Sequence, residues 1–177
     1  MIKNIYTRST LLLLVVFSLL SLPSYGFRKK RKADKETQEW RYEVEASGTG
    51  VQGTYQIKVW TYSRYPETAV EQAKKNAVHA VIFKGFPSKG RIEGQKPLSR
   101  NPNLEQDKKS FFKEFFKDGG KFQKYVFLAN NGAIAPGDRI KLSKKEYKIG
   151  VVVSVHIAGL RKDLEAAGII KGLSSGF

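Results

Sequence analysis

The sequence predicts an α+β fold, a two-layer sandwich with one mainly antiparallel sheet and helices packed on one face, as a single domain over residues 39–177. Three observations predict it. Trp40, Tyr42, Val44 and Ala46 alternate with Glu39, Arg41, Glu43 and Glu45, and Val51, Tyr55, Ile57 and Val59 alternate with polar neighbours, which is the period of a strand with one wet face. Near the other end Tyr147, Ile149, Val151, Val153, Val155 and Ile157 repeat that period with one face wholly apolar. Between these, Val70, Ala73, Ala77 and Val81 recur at three- and four-residue spacing, a narrow stripe of small residues suited to lying close on a sheet.

In chain order, the first strand runs from Glu39 to Ala46 and ends in the turn Ser47-Gly48-Thr49-Gly50. An antiparallel partner then runs to about Tyr62. Pro66, with its fixed φ, and Glu67, favourable at the positive helix end, start a helix that should end near Phe83, before Gly85 and Pro87. On that helix His79 falls opposite the small-residue stripe, beside Gln72, Lys75 and Asn76, and is expected in solvent.

Residues 85–103 contain Gly85, Gly90, Gly94, Pro87, Pro97 and Pro102 and follow no regular period, so a long loop is expected, functional or disordered. A second helix should start at Asn103, with Gln106 placed for a capping box, and end at Gly119-Gly120. Phe111, Phe112, Phe115 and Phe116 fall on one side of it, facing the core or forming an aromatic docking ridge. A strand over Phe122–Ala129, a turn at Asn130-Asn131-Gly132, a short strand at Arg139–Leu142, the strand ending at Ile157 and a short helix with Leu160, Leu164 and Ala167 complete the pattern. Gly168 closes that helix, and Ile169–Phe177 should pack back on the domain.

Ahead of the domain, Lys3 and Arg8 precede the apolar run Leu11–Leu20, and Ser24-Tyr25-Gly26 supplies small residues at the positions that matter for cleavage. Residues 1–26 therefore read as a secretory signal cut after Gly26, because the apolar run falls short of the ~20 residues a membrane-spanning helix needs. The basic flank Arg28-Lys29-Lys30-Arg31-Lys32 favours staying on the cytoplasmic side and leaves an uncleaved anchor as the alternative. Residues 27–38, almost wholly polar, read as a flexible basic tail.

The charge is strongly positive. Residues 1–26 hold only Lys3 and Arg8 as charged residues, so residues 27–177 keep 30 of the 32 basic residues against all 16 acidic ones. Such an excess raises encounter rates with polyanions, which beyond an export signal means phospholipid head groups, lipopolysaccharide, teichoic or nucleic acids and acidic proteins. The absence of cysteine excludes disulfides, thiolate metal sites, a cysteine nucleophile and lipoprotein acylation. It is also more typical of a bacterial envelope than of small eukaryotic secreted modules.

Catalytic chemistry has little to stand on. The chain has two histidines, and neither has a carboxylate or a second histidine at metal-ligand spacing along the sequence, so no metal or other cofactor is expected. Ser154 and His156 share a strand face, but no nucleophile elbow or placed acid accompanies them. Glu43 and Glu45 share the wet face of the first strand, an ordinary solvated arrangement. Gly48-Thr49-Gly50-Val51-Gln52-Gly53 spells a dinucleotide pattern between two strands, with no helix after it to receive a phosphate. A non-enzyme is expected.

The strand Tyr55–Tyr62, followed by Ala69, Ala73, Lys74, Asn76 and Ala77, and the strand Val151–Val155, running into Leu160-Arg161-Lys162-Asp163-Leu164, resemble the N-terminal domain of the flagellar assembly protein T and related small outer-membrane lipoproteins. The segment Gly159–Phe177 is similar in style to uncharacterised secreted proteins of Bacteroidetes-type bacteria. The resemblance covers about half of residues 27–177, and the acylated cysteine of the lipoproteins has no counterpart here, so their tether does not carry over. It implies a non-catalytic accessory or assembly role in the envelope.

Two basic regions are the candidate binding sites. Arg28, Lys29, Lys30, Arg31 and Lys32 are suited to an anionic envelope surface, bound peripherally and sensitive to salt. In the loop 85–103, Lys89, Arg91, Lys96 and Arg100 surround Phe86, a ring placed to stack on a sugar, which makes a carbohydrate- or peptidoglycan-binding module the alternative function. The expected partners are an envelope protein assembly or an anionic envelope surface, in the periplasm or at the outer-membrane periphery, with no specific nucleic acid.

Overall fold

A computed structural model describes residues 40–50 and 53–172. Residues 1–26, expected to be a secretory signal, the segment with Arg28, Lys29, Lys30, Arg31 and Lys32, Val51 and Gln52, and the last five residues lie outside the described ones. Five antiparallel strands make one curled sheet: β1 (Tyr42–Thr49), β2 (Thr54–Ser63), β3 (Val126–Leu128), β4 (Arg139–Lys141) and β5 (Tyr147–His156). The path is β1-β2-β5-β3, and β4 pairs with β5 on the same side as β3. β2 and β5 pair along their whole length, from Thr54 opposite His156 to Ser63 opposite Tyr147. That central pair is where the sequence is richest in β-branched residues, and Ile57, Val59, Ile149, Val151, Val153 and Val155 are fully buried on its inner face.

The α+β class holds, with the helices on one side of the sheet. Helix α1 (Pro66–His79) begins at Pro66, and Ala69, Ala73 and Ala77 have no exposed surface. The helix then widens into a π turn over Ala80–Lys84, where Gly85 N–H donates to the Ala80 carbonyl at 2.6 Å. Leu98 N–H donates to the Val81 carbonyl at 3.0 Å and Ser99 N–H to the Ile82 carbonyl at 2.9 Å. The returning chain thus supplies donors to carbonyls that a helix end leaves open.

Several boundaries differ from expectation. Trp40 is not a strand residue: its φ of 45° turns the chain just before β1. Segment 85–103 is more ordered than an aperiodic loop, because Phe86 pairs with Gln95 and Lys89 with Ile92 in a small hairpin. Its tip has Gly90 at φ 60°, the first central residue of a type II′ turn. The expected second helix is broken at Lys108 into α2 (Leu104–Asp107) and α3 (Lys109–Phe115), and Asn103 precedes α2 without a side-chain cap.

The aromatic stripe on α3 faces inward. Phe112, Phe115 and Phe116 are buried, and Phe111 is half-buried at the margin. The strand expected from Phe122 shrinks to β3, because Lys121–Tyr125 forms a 3₁₀ turn that buries Phe122 and Tyr125. At the C-terminal end, α4 (Ile157–Ala166) buries Leu160 and Leu164, and Ile170 returns to the core as expected.

Candidate functional site

The most concentrated polar arrangement is interior and joins three elements that lie far apart in sequence. His79, the last residue of α1, is only 3% exposed, contrary to the expectation of a solvent position. The physical reason is a second packing face. The α1 surface opposite the alanine stripe, with Thr68, Gln72, Lys75 and Asn76, is also buried: the 3₁₀ turn packs on it, and Glu105 of α2 and Phe116 at the end of α3 meet its His79 end. Phe116 lies 6.0 Å from the His79 ring and Phe83 4.7 Å from it, between centroids. A helical wheel with one apolar stripe cannot reveal a second covering layer when that layer meets polar side chains.

Both ring nitrogens of His79 have partners. Tyr42 Oη lies 2.6 Å from Nδ1, and Glu105 Oε2 lies 3.2 Å from Nε2. Trp40 Nε1–H donates to the other carboxylate oxygen of Glu105 at 2.8 Å. Burial lowers the His79 pKa more than the neighbouring carboxylate raises it, so the ring is neutral at pH 7. Glu105 has a lowered pKa, chiefly through its hydrogen bond with His79, and is ionised. An ionised carboxylate only accepts, so Nε2 carries the proton, Nδ1 accepts, and Tyr42 is the donor.

This is a satisfied chain. Burial raises the Tyr42 hydroxyl far above its ordinary value, so it stays protonated. Lys84 covers the outside, with Nζ 4.1 Å from the Tyr42 ring centre and donating to the Trp40 carbonyl at 3.4 Å. The histidine is thus engaged at both nitrogens, and the arrangement locks the entrance of β1 to the end of α1 and to α2. Only the histidine could have been flagged from the sequence, because Tyr42 and Glu105 are brought to it across 37 and 26 positions.

The outer face of the sheet is laced with ion pairs. Lys148 bonds both carboxylate oxygens of Glu43, at 2.8 and 2.7 Å, and Tyr62 Oη donates to Glu43 at 2.7 Å. Lys58 pairs with Asp138 at 2.8 Å, Arg41 with Glu146 at 2.7 Å, and Lys89 with Glu45 at 2.9 Å. Glu43 and Glu45 are therefore separate ion-pair partners. Ser154 and His156 lie on the same face, both half-buried, with no hydrogen bond between them. Among the described residues no group of three or more His, Asp or Glu gathers at metal-binding distance.

Of the candidate loop residues, Lys89, Arg91, Lys96 and Arg100 are exposed, and Lys89 is held by Glu45. Phe86 is 5% exposed, against the expectation of a free stacking ring. The hairpin folds its base inward and sets Phe86 edge-on to Tyr55, with centroids 6.0 Å apart. A basic cluster less apparent in the sequence is the β4–β5 hairpin. Arg139, Lys141, Lys144 and Lys145 are exposed there with no carboxylate within 4.0 Å among the described residues, beside the exposed Ile140 and Leu142. No helix among the described residues is long and apolar enough to cross a membrane. No protein-family model matches this chain, and neither a curated protein nor a solved structure does.

Proposed function

We propose that this chain is a non-catalytic exported protein of the cell envelope, an accessory or assembly factor that works by peripheral association with anionic envelope components. One observation carries the reading. The carboxylates of the outer sheet face are already engaged by Lys58, Lys89, Lys148 and Arg41, whereas Arg91, Lys96, Arg100, Arg139, Lys141, Lys144 and Lys145 are exposed and free of ion pairs among the described residues. The positive excess is thus available to an external partner rather than spent inside the fold.

The leader-like start, residues 1–26, supports the envelope address, and Arg28-Lys29-Lys30-Arg31-Lys32 adds charge just ahead of the domain. Basic residues near an anionic surface contribute on the order of 1 kcal/mol each, so these five and the exposed cations of the domain favour association that weakens steeply with salt. The engagement of His79 at both nitrogens supports a role without catalysis. The sugar-binding alternative rests on the loop cations alone once Phe86 is buried.

The test is fractionation. Deleting residues 27–38 should release the protein from envelope fractions at low salt, and raising salt should release the intact protein in the same way. Retention that neither deletion nor salt alters would overturn the reading.

A further inference from the structure

We infer that the β4–β5 hairpin, Arg139–Tyr147, is the membrane-contacting element of this protein, with Ile140 and Leu142 entering the interface of an anionic phospholipid bilayer and Arg139, Lys141, Lys144 and Lys145 engaging its head groups. The inference rests on the proposed peripheral association and specifies its site.

The hairpin is unlike the rest of the surface. Ile140 and Leu142 are 45% and 47% exposed, two of the few large apolar side chains left in solvent among the described residues. All three residues of β4 are exposed. The register places Ile140 opposite Lys148 on the outer face of the sheet, and Arg139 and Lys141 on the other face of the same ribbon, opposite Ile149 and Tyr147. The inner side of the hairpin is exposed as well, because Lys141 is in solvent and Arg139 lies over the Tyr147 ring at 4.6 Å.

Beyond β4 the chain is held, not loose. Leu142 N–H donates to the Glu146 carbonyl at 3.0 Å, and Lys145 N–H donates to Ser143 Oγ at 3.2 Å, which fixes Lys144 and Lys145 at the tip. The single acid, Glu146, is taken by Arg41, so the tip presents positive charge with no local counter-charge.

Apolar side chains on one face of an edge ribbon, with unpaired cations on its other face and at its tip, match an interface that is anionic outside and hydrocarbon within when the ribbon enters edge-on, where lysine stems lie along apolar surface and their heads stay in water. A protein strand added to the open edge of β4 is the competing occupant. Positive residues along an edge strand oppose strand addition, and Arg139 and Lys141 flank Ile140 on both sides. Arg41 also places the start of the described fold beside the hairpin.

The experiment is flotation of residues 27–177, the form left by the proposed cleavage, and its variants with vesicles of phosphatidylglycerol and phosphatidylethanolamine in equal amounts, against phosphatidylcholine vesicles. The wild type should prefer the anionic vesicles. Replacing Lys141, Lys144 and Lys145 together by Gln should lower partition by roughly a hundredfold, at about fivefold per basic residue. Ile140→Ser with Leu142→Ser should lower it about tenfold, and this loss should persist at high salt. Where the double variant fails to keep the wild-type circular dichroism, each single substitution serves, with a loss of several-fold. Replacing Lys108, Lys109 and Lys113 by Gln, an equal charge removed from α3 and its approach, should change partition by less than about twofold.

If the Ile140/Leu142 variant binds as well as wild type, the insertion is wrong and a purely electrostatic association stands. If the α3 charge variant loses as much as the hairpin variant, the hairpin is not the contact and the inference falls. If the wild type ignores anionic vesicles while envelope fractions still retain it in a salt-dependent way, the hairpin contact with lipid is refuted and the peripheral association survives on a protein partner.

Discussion

Trp40 lies face-on against His79, with ring centroids 3.7 Å apart and planes 21° from parallel, so the residue that opens the domain roofs the residue that closes its main helix. Burial, to which this stack contributes, holds the imidazole neutral in the fold, against the Glu105 hydrogen bond, which favours the charged form. Its folded pKa lies below the ordinary value of 6.5 that it regains on unfolding. The unfolded chain therefore binds more protons in that window, and stability rises with pH there. The contribution is complete above about pH 6.5 and is lost as pH falls below it. Glu105, whose folded pKa is also lowered, adds a second loss below its ordinary value of 4.5. Urea midpoints should drop between pH 7.5 and 5.5, and His79→Gln should flatten that drop while lowering the midpoint at both values.

Tyr42→Phe removes the donor to His79 Nδ1 and leaves a buried acceptor unpaired. The expected cost is about 1–3 kcal/mol. Equilibrium urea unfolding at pH 7.5 measures it. A cost under about 0.5 kcal/mol would mean that the tyrosine hydroxyl does not hold the ring.

The hairpin at 85–95 requires two glycines for different reasons. Gly85 has φ 68°, and a Cβ there would strike the Gln95 carbonyl and come 3.0 Å from Pro97 Cδ. A Cβ at Gly94 would strike the Phe86 carbonyl and lie 2.6 Å from the Ser88 nitrogen. Gly94→Ala should open the hairpin and expose Phe86, read as faster amide exchange at Phe86 and Gln95 and a stability loss of about 1–3 kcal/mol. Gly90→Ala, with nothing near its Cβ, meets only the backbone cost of φ 60° and should lose less.

Phe112 and Phe111 are neighbours with different fates. Phe112 is buried and meets Phe83 edge-on at 4.9 Å, while Phe111 is half-buried at the rim. Phe112→Ala should cost about 3–5 kcal/mol. Phe111→Ala should cost less than half as much, and thermal melts of the pair test the order. Equal losses would mean that Phe111 packs as deeply as Phe112.

Gly150 is the notch on which Trp60 rests. An added Cβ would sit 3.1 Å from Trp60 Cζ3 and 3.2 Å from Asp138 Cβ, close enough to lift the ring and press on the Lys58 pair of Asp138. Gly150→Ala should shift tryptophan emission and cost about 1–2 kcal/mol, and an unchanged spectrum would mean that the ring yields without moving its surroundings.

The sheet and its main helix were legible because their signals are local. Strand alternation across Tyr55–Val59 and Tyr147–Val155 reports which side chain faces the core, whatever the partner strand is. Pro66 and the alanine stripe likewise report a helix start and a close-packed face from neighbouring positions alone. The hairpin of 85–95 leaves no such signal, because its two bridges depend on glycine geometry rather than on an apolar period. The break at Lys108 was hidden by good helix formers on both sides.

By itself the sequence determined the α+β class, the inward faces of the long strands and the large positive excess. Each follows from residue type and short-range spacing. Tertiary structure alone decided that His79 is buried between Tyr42 and Glu105, that Phe86 is withdrawn from solvent, and that the acids of the sheet face are matched while the β4–β5 cations are not. Those outcomes depend on which distant segments meet, and meeting is governed by long-range packing, which leaves no periodic trace in the chain.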